Sequence, residues 1–216
     1  MSVRVRFAPS PTGALHIGGV RTALFNYLFA KKNNGKFILR LEDTDRSRFV
    51  KGAEEYIVNA LNWAGLTPDE SPAAPGGFGP YRQSERKTLY KEELEKLILS
   101  GKAYYAFDTP EELAAARSES EQKGEVFKYS AHNRAAFRNA ISLSKEELKN
   151  EINKGNGVVR LKVAVGETIV VKDEIRGVIR INSDEIDDKI LMKADGMPTY
   201  HFANIVDDHH MQISHV

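Results

Sequence analysis

The chain has 216 residues, of which 41% are hydrophobic and 28% are charged. This balance is typical of a globular protein with a packed core, in one large domain or two small ones. Cysteine is absent, which excludes disulfides and cysteine-based zinc sites. No apolar run approaches the roughly 18 residues of a membrane span and no signal-peptide block opens the chain, so we expect a cytoplasmic protein without a membrane partner.

Positive charge is concentrated near the N-terminus. Residues 1–52 contain ten Lys and Arg against three Asp and Glu, a net charge of +7, and because the whole chain has +1 the remainder carries −6. A basic region on a nearly neutral protein suggests an anionic ligand, such as a nucleotide or nucleic acid. A merely solvated basic surface explains the charge equally well.

Predicted strands and helices alternate over the first hundred residues. The patterns predict strands at 3–7 and 36–41, and helices at 17–32, 50–65 and 84–100. We expect Gly35 to end the first helix in the left-handed conformation. The order strand, helix, strand, helix predicts a parallel sheet with crossover helices.

The pattern changes character after about residue 107. Two capping boxes, Thr109 with Glu112 and Ser144 with Glu147, predict two short helices. Consecutive strands are then expected at 157–165, 168–173 and 177–182. These elements predict an α+β module inserted into the first fold.

The alternating pattern resumes near the end of the chain. A strand is expected at 189–194, a helix at 198–211 and the start of another strand at 213–216, which suggests a shortened chain. We therefore predict a parallel α/β domain over 1–107 and 187–216, interrupted by an inserted domain over 108–186.

The turn between the first strand and the first helix is unusually rich in glycine. It reads APSPTGALHIGG over residues 8–19. Gly18 and Gly19 fall in the first helical turn, where each costs about 1 kcal/mol relative to alanine. An open helix start can bind an anion, and His16 beside it can donate to phosphate oxygens. The stretch is neither a P-loop nor GxGxxG, so a purely structural turn is the alternative on glycine content alone.

Four separated motifs carry a resemblance to a known family. They are RFAPSPTGALHIGGVRTALFNYLFA (6–30), LRLEDTDRSR (39–48), GPYRQSER (79–86) and DGMPTYHFANIVDDHHMQISHV (195–216). In this order they resemble the class I aminoacyl-tRNA synthetases, specifically the glutamyl-tRNA synthetases, whose HIGH signature often reads HIGG. The resemblance implies a Rossmann-like parallel sheet interrupted by an inserted α+β acceptor-stem-binding domain.

The resemblance also implies a reaction and its substrates. L-glutamate would be activated by ATP to glutamyl-adenylate and transferred to the 3′ end of tRNA(Glu), with Mg²⁺ entering alongside ATP, and we expect a monomer. The implied catalytic residues are His16, which would donate to phosphate oxygens, and Gly18 and Gly19, which would leave room for the nucleotide. The implied ATP site adds Pro11, Thr12 and Gly13.

The implied glutamate pocket needs both signs of charge. Arg6 would hold the side-chain carboxylate of the substrate, because a planar guanidinium can bind a carboxylate through two bonds. Glu42 would hold the α-ammonium group. The pocket is completed by Ala8, Ser10, Tyr200 and Asn204. A plain ion pair between Arg6 and Glu42 is the alternative that the residues themselves leave open.

Further polar residues resemble positions near the tRNA. Asp45 and Arg48, with their neighbours Asp43 and Arg46, would lie near the tRNA 3′ end, although turn capping is a rival role for the aspartates. We expect Arg82, Gln83 and Ser84 at the mouth of the site. Lys102 and Arg134 are candidate phosphate contacts, against the alternative that they are simply solvated.

No metal site is predicted. Asp207 and His210 stand three residues apart on one helical face, but no third ligand follows at a suitable spacing. Some bacterial relatives carry a cysteine-based zinc site in the insertion. This chain has Tyr104, Tyr105 and Phe107 in the corresponding stretch, so we expect no structural zinc.

Several parts that the family uses lie outside these residues. They are the lysine-rich KMSKS-type loop, an arginine of the glutamate pocket expected just beyond Val216, and the anticodon-binding region. We therefore expect residues 1–216 alone not to charge tRNA. Two other functions stay open: a glutamyl-queuosine tRNA(Asp) synthetase and a non-catalytic tRNA-binding module.

Overall fold

The computed structural model describes residues 2–45 and 50–216. The chain forms two compact units, the first made of Met1–Tyr90 and Phe202–Val216 and the second of Lys91–His201. The insertion predicted at 108–186 lies within the second unit. The unit boundaries and the predicted domain boundaries fall at different residues, and the domain assignment itself stays a prediction.

The helices and strands follow the sequence patterns closely in most places. The helices are α1 (Ile17–Lys32), α2 (Ala53–Trp63), α3 (Lys87–Leu99), α4 (Pro110–Gln122), α5 (Lys145–Lys154) and α6 (Tyr200–His210). The strands are β1 (Arg4–Phe7), β2 (Lys36–Leu39), β3 (Ala103–Ala106), β4 (Val158–Leu161), β5 (Thr168–Asp173), β6 (Gly177–Asn182) and β7 (Ile190–Met192).

The first unit is built on a parallel strand pair. β1 and β2 run parallel with Val5 opposite Phe37, which confirms the crossover predicted from the strand–helix–strand order. Single residues extend the pairing along β2 and just beyond its end, because Glu70 bridges Ile38 and Arg82 bridges Leu41, both in parallel. The carboxyl ends of β1 and β2 therefore lie side by side, where open α/β sheets bind ligands.

Helix α2 packs against this sheet through one apolar face. Ala53, Ile57 and Leu61 are buried, and the last two pack in one core cluster with Phe37 and Leu39 of β2. The spacing of four residues places the three side chains on one side of the helix. Burial of this apolar stripe, at about 25 cal/mol per Å², is what fixes α2 against the strands.

The end of α1 differs from the expectation at one residue. The left-handed position is Asn34, with φ 51°, and not Gly35. Glycine is required at position 35 for another reason, because a Cβ atom there would lie 2.3 Å from the carbonyl oxygen of Val3. The chain thus passes close to the start of β1 as it leaves the helix.

The second unit contains an antiparallel sheet and a hairpin. β4 lies between β3 and β7 and is antiparallel to both, and β5 pairs with β6 from Thr168–Asn182 to Asp173–Gly177. β3 was not among the predicted strands. The expectation that the strand at 189–194 resumes the parallel sheet was wrong, because β7 pairs antiparallel with β4; an apolar run reveals a strand but not its partner.

The strand expected at 213–216 is not formed. Ser214 instead contacts β1 through its side chain, whose Oγ accepts from the backbone N–H of Arg4 at 2.8 Å, while its own N–H donates to the Arg4 carbonyl at 2.9 Å. The hydroxyl takes the place of a backbone carbonyl, so a regular ladder does not continue. None of the helices in the described part of the chain is long and apolar enough to cross a membrane.

Candidate active site

A pocket of about 300 Å³ lies against the turn between β1 and α1. We call it the turn pocket. It is lined by Ser10, Thr12, Gly13, His16 and Gly19 from the predicted site, and by Phe7, Pro9, Ala14, Leu15 and Ile57. The turn that the sequence predicts to bind ATP therefore encloses a cavity of a size used for small ligands.

Two predicted ATP-site residues lie outside the lining of the turn pocket. Pro11 is buried and its carbonyl accepts from the N–H of Val50 at 3.1 Å, so its observed contact is with the chain that enters α2. Gly18 is the second residue of α1. Gly13 has φ +148°, a backbone conformation that residues with a Cβ atom rarely adopt, so the shape of the turn depends on glycine there.

His16 caps the start of α1. Its Nδ1 accepts from the backbone N–H of Gly18 at 3.1 Å, and its carbonyl accepts from Gly19 at 2.9 Å. In a neutral imidazole one nitrogen accepts and the other donates, so acceptance at Nδ1 places the proton on Nε2. The cap thus leaves His16, which is solvent-exposed, with an N–H donor beside the turn pocket.

The two glycines of HIGG make room for the protein's own side chains. A Cβ atom at Gly18 would lie 2.8 Å from Cε1 of His16, and one at Gly19 would lie 2.4 Å from Cδ1 of Leu15. Glycine at position 18 therefore lets the His16 ring fold over the helix start. The predicted space for a nucleotide at these glycines stays a prediction.

Arg6 extends from β1 to α6. Its Nε and Nη2 donate to the two carboxylate oxygens of Asp208 at 3.1 and 3.0 Å, and Nη2 also donates to Oδ1 of Asn204 at 3.1 Å. The structure therefore brings together two predicted glutamate-pocket residues, Arg6 and Asn204. About 17% of the Arg6 side chain is exposed.

Arg40 lies at the centre of the same cluster and has no exposed side-chain surface. Its Nη1 donates to Asp208 at 2.7 Å, and its Nη2 donates to Glu42 and to Oδ1 of Asn204, both at 3.1 Å. These contacts pair the buried charge and hydrogen-bond both Nη atoms, while Nε lies 3.8 Å from Oδ2 of Asp207 and has no hydrogen-bond partner among the described residues. We call Arg6, Arg40, Glu42, Asn204 and Asp208 the charged cluster.

Glu42 is the acidic member at the end of β2. Burial raises its pKa above the ordinary 4.5, although the neighbouring guanidiniums of Arg40 and Arg6 act in the opposite direction. Its observed ion pair is with Arg40, while Arg6 pairs with Asp208. The direct Arg6–Glu42 pair considered from the sequence is thus replaced by a pairing of each residue with a different partner.

Sequence reasoning missed Arg40 and Asp208 as members of the cluster. Arg40 stands in the apolar run KFILRL, where a charged residue in a buried strand is an exception that needs a partner. That signal indicates an unusual residue but not its partner, because Asp208 is 168 positions away in the chain.

Three other residues predicted for the glutamate pocket, Ala8, Ser10 and Tyr200, are not members of the charged cluster. Ala8 is half-buried just after β1, and Ser10 lines the turn pocket. Tyr200 begins α6 and is 55% exposed, in the second unit. Their part in glutamate binding stays a prediction.

Asp207 is fully buried and is a structural carboxylate. It accepts from Nε2 of Gln83 at 2.8 Å, from Nε of Arg86 at 2.6 Å and from the hydroxyl of Tyr90 at 2.9 Å. The expectation that Gln83 lies at the mouth of the site was wrong, because its amide is drawn inward by this carboxylate. Within residues 2–45 and 50–216, no group of three or more His, Asp or Glu is arranged to hold a metal.

The predicted tRNA-end residues have mixed outcomes. Asp43 accepts from the N–H and hydroxyl of Ser84 at 2.8 and 2.6 Å, a contact 41 positions away and not the capping of its own turn, and its place near the tRNA stays a prediction. Arg82 forms ion pairs with Glu54 and Glu85. Asp45 is half-buried and interacts within the protein. Arg46 and Arg48 lie outside the described residues.

Two basic residues of the second unit differ in exposure. Lys102 is exposed, as a phosphate contact requires. Arg134 is buried, with Nη2 donating to the carbonyl of Val163 at 2.6 Å and Nε 3.0 Å from the carboxylate of Asp188. The expectation that Arg134 contacts tRNA phosphates was therefore wrong.

Known proteins resemble this chain over its whole length. The family model for the catalytic domain of class I tRNA synthetases (E and Q) matches residues 2–216. The glutamate–tRNA ligases of Christiangramia forsetii and Flavobacterium johnsoniae are 60% and 58% identical, over 99% of this chain and 43% of each relative. The chain thus spans less than half the length of these relatives.

A solved structure gives the same result for the fold. A glutamate tRNA ligase from Elizabethkingia meningosepticum, crystallised in complex with its amino acid, superimposes with a TM-score of 0.96 at 55% identity, covering 100% of this chain and 43% of that one. Sequence and fold agree along the entire chain, and the HIGG turn, the parallel strand pair and the charged cluster lie within the matched region. The chain therefore belongs to the class I tRNA synthetases of the E and Q group and carries residues of their catalytic domain.

Proposed function

We propose that these residues act, within a glutamate–tRNA ligase, to activate L-glutamate with ATP and transfer it to the 3′ end of tRNA(Glu). One observation carries the proposal: the turn pocket and the charged cluster are built at the neighbouring ends of the parallel strands β1 and β2. One site offers a histidine donor at a helix start and the other offers both signs of charge. These are the two chemistries that ATP and glutamate require.

His16 serves the ATP side of the proposed reaction. Its Nε2–H donates to phosphate oxygens as negative charge develops at the α-phosphate, while Gly18 and Gly19 keep the start of α1 free of side chains. Pro11, Thr12 and Gly13 shape the adjoining turn. Mg²⁺ enters with ATP as part of the substrate, and its charge neutralises the phosphates.

The charged cluster serves the amino-acid side. Arg6 binds the side-chain carboxylate, Glu42 accepts from the α-ammonium group, and Asn204 lines the pocket together with Ala8 and Ser10. The α-carboxylate then attacks the α-phosphorus of ATP. A phosphorus–oxygen bond to the amino acid forms, the bond to the β-phosphate breaks, and pyrophosphate leaves. The protein accelerates this step by positioning and by neutralising charge.

Transfer to tRNA completes the proposed sequence. A hydroxyl of the terminal ribose attacks the activated carbonyl and loses its proton, the glutamyl ester forms, and AMP leaves. Asp45 and Arg48 act near the tRNA 3′ end, and the segment 108–186 binds the acceptor stem. Because relatives are more than twice as long, residues 1–216 alone are expected not to charge tRNA. The cytoplasmic location and the monomeric state stay predictions.

The proposal is tested with the protein encoded by the full reading frame. It is incubated with ATP, Mg²⁺, labelled glutamate and total cellular tRNA, and the labelled tRNA and its point of attachment are identified. An alkali-labile ester on the 3′ end of tRNA(Glu) is the expected result. Label on an anticodon base of tRNA(Asp) would replace the proposal with the glutamyl-queuosine activity. A folded protein that labels no tRNA would indicate a binding module.

A further inference from the structure

Asn204 has a fixed orientation in the charged cluster. Its Oδ1 receives two hydrogen bonds, one from Nη2 of Arg6 and one from Nη2 of Arg40, both at 3.1 Å. A guanidinium can only donate, so the side of the amide that faces both arginines has to be the oxygen. The Nδ2 group is therefore turned away from the arginines, with its two hydrogens available to another partner.

Arg40 directs the other polar groups of the cluster in the same way. Its Nη2 donates a hydrogen bond to Oε1 of Glu42, and its Nη1 donates one to Oδ1 of Asp208. Asp208 in turn accepts hydrogen bonds from Nε and Nη2 of Arg6. Within the described part of the chain, and apart from the fully buried Nε of Arg40, three groups of this cluster form no hydrogen bond: Nη1 of Arg6, Nδ2 of Asn204 and Oε2 of Glu42.

These three groups form a pattern of two donors and one acceptor. The donors suit a carboxylate, which only accepts, and the acceptor suits an ammonium group, which only donates. A carboxamide in the place of the carboxylate would bring its own NH₂ group against at least one of the donors. Because a site built for particular hydrogen bonds discriminates strongly against a ligand that cannot form them, the pattern favours glutamate over glutamine.

We propose that Arg40 is a positioning residue which fixes the orientation of Asn204 and Glu42 and thereby sets the preference of the pocket for glutamate over glutamine. The proposal rests on the glutamate-binding function proposed above. Arg40 itself is fully buried and does not touch the substrate. Its effect is carried by its bonds to Asn204 Oδ1, Glu42 Oε1 and Asp208 Oδ1.

Arg40→Lys is the first variant to test this role. Lysine keeps the positive charge, but its compact ammonium cannot reproduce the planar fork that reaches three acceptors in fixed directions. Asn204 then keeps only the hydrogen bond from Nη2 of Arg6, so its amide is held in the assigned orientation less firmly. The matched control is Arg4→Lys, because Arg4 is also buried in a strand and is bonded through two nitrogens to Glu70 at 2.7 and 2.9 Å, outside the charged cluster.

Both variants are made in the full-length protein and assayed for charging with glutamate and with glutamine. In R40K we expect kcat/KM for glutamate to fall about tenfold, mainly through KM, and the glutamate-to-glutamine ratio of kcat/KM to fall by about tenfold or more. In R4K the ratio is expected to stay at the wild-type value. An unchanged ratio in R40K, or an equal change in both variants, would overturn the proposal.

Asn204→Asp gives a second test that does not depend on whether R40K folds. Aspartate still accepts from both arginines, but it presents an oxygen to the ligand where asparagine presents NH₂. The ratio should then shift towards glutamine by about tenfold or more, and a ratio equal to that of the wild type would contradict the orientation assigned to Asn204.

Calorimetric titration of glutamate and of glutamine into the wild-type protein distinguishes a failure of the proposed function from a failure of the role assigned to Arg40. If the wild type neither charges nor binds glutamate, the proposed function fails and the inference on Arg40 fails with it. If the wild type prefers glutamate while R40K and N204D keep that preference, only the inference on Arg40 fails.

Discussion

Each unit of the protein buries an arginine–aspartate network, and the two networks end differently. In the second unit Asp188 is fully buried and accepts from the Tyr104 hydroxyl at 2.6 Å, from the Val163 N–H at 3.0 Å and from Arg134 at 3.2 Å. Its bonds close within the protein. In the first unit Asp208 and Arg6 stay 19% and 17% exposed, and part of the hydrogen-bonding capacity faces outward.

The comparison separates two uses of buried charge. Removing one partner of a closed network leaves an uncompensated charge, so the cost falls on folding. A network with outward donors can be altered with a smaller effect on folding and a larger one on ligand recognition. We therefore expect substitutions in the closed network to lower stability most, and substitutions in the charged cluster to change glutamate recognition most.

The largest effect on stability is expected from Asp188→Ala. The variant leaves the buried Arg134 guanidinium without its carboxylate, and we expect a loss of about 3–5 kcal/mol of unfolding free energy. Urea unfolding at neutral pH measures it. The control is Asp187→Ala next to it, whose ion pair with Lys189 is partly exposed and should matter by no more than about 0.5 kcal/mol. Equal losses of unfolding free energy in both variants would show that the buried network stabilises the protein no more than a surface ion pair does.

The largest effect on activity is expected from His16→Ala in the full-length protein. Loss of the Nε2 donor should slow glutamyl-adenylate formation by about 10²–10³-fold. The helix also loses its cap, at a cost of about 1 kcal/mol. His16→Ser separates the two, since serine restores a cap but not the imidazole donor. Single-turnover adenylate formation should be slowed to this extent in both variants, and thermal melting should show that only His16→Ala is destabilised. Adenylate formation at the wild-type rate in His16→Ser would limit His16 to capping.

A pH dependence follows from the raised pKa of Glu42. Protonated Glu42 cannot accept from an ammonium group as a carboxylate does, so glutamate affinity should fall as the pH drops through the raised pKa, by up to about tenfold per pH unit. The effect on stability has the opposite sign. The folded state holds the proton more tightly than the unfolded state, so this group's favourable contribution is complete below pH 4.5 and is lost as pH rises through the folded pKa.

Titration calorimetry across this pH range checks the binding side of the prediction. Glu42→Gln carries no titrating carboxylate at this position, so its glutamate affinity should be weaker and should lose this dependence on pH. The same slope in wild type and in Glu42→Gln would assign the pH dependence to another group.

The smallest effect is expected at a helix cap of the second unit. Thr109 accepts from the Glu112 N–H at 3.2 Å, and the Glu112 carboxylate accepts from the Thr109 N–H at 2.8 Å. Thr109→Ala should cost about 1 kcal/mol of unfolding free energy and leave the KM for glutamate unchanged. Thermal melting and steady-state charging measure the two quantities, and an altered KM would show that the cap does influence glutamate recognition.

Local signals in the sequence predicted local structure well. Helix α1 begins and ends where the pattern places it, and both capping boxes are formed at Thr109 and Ser144. These features depend on residues three or four positions apart, so a single stretch of sequence contains the whole interaction.

Three features that depend on residues far apart in the chain were not predicted. Arg40 finds Asp208 across 168 positions, Gln83 is drawn inward by Asp207 across 124 positions, and β7 pairs with β4. In the sequence Arg40 is visible only as a polar exception in an apolar run, β7 only as an apolar run, and Gln83 and Asp207 only as polar residues among other polar residues. Which partner each selects is decided by the folded chain, and the site residues taken from family resemblance needed the structure to reveal how they are held.

A crystal structure of the full-length protein with bound L-glutamate would show whether Arg40 positions Asn204 and Glu42 around the substrate. It should show the side-chain carboxylate within hydrogen-bonding distance of Arg6 Nη1 and Asn204 Nδ2, the ammonium group at Glu42, and Arg40 still bonded to Asn204, Glu42 and Asp208. A glutamate bound away from Arg6 would contradict the proposed pocket. An Asn204 whose oxygen faces the ligand and is no longer bonded to Arg40 would contradict the role assigned to Arg40.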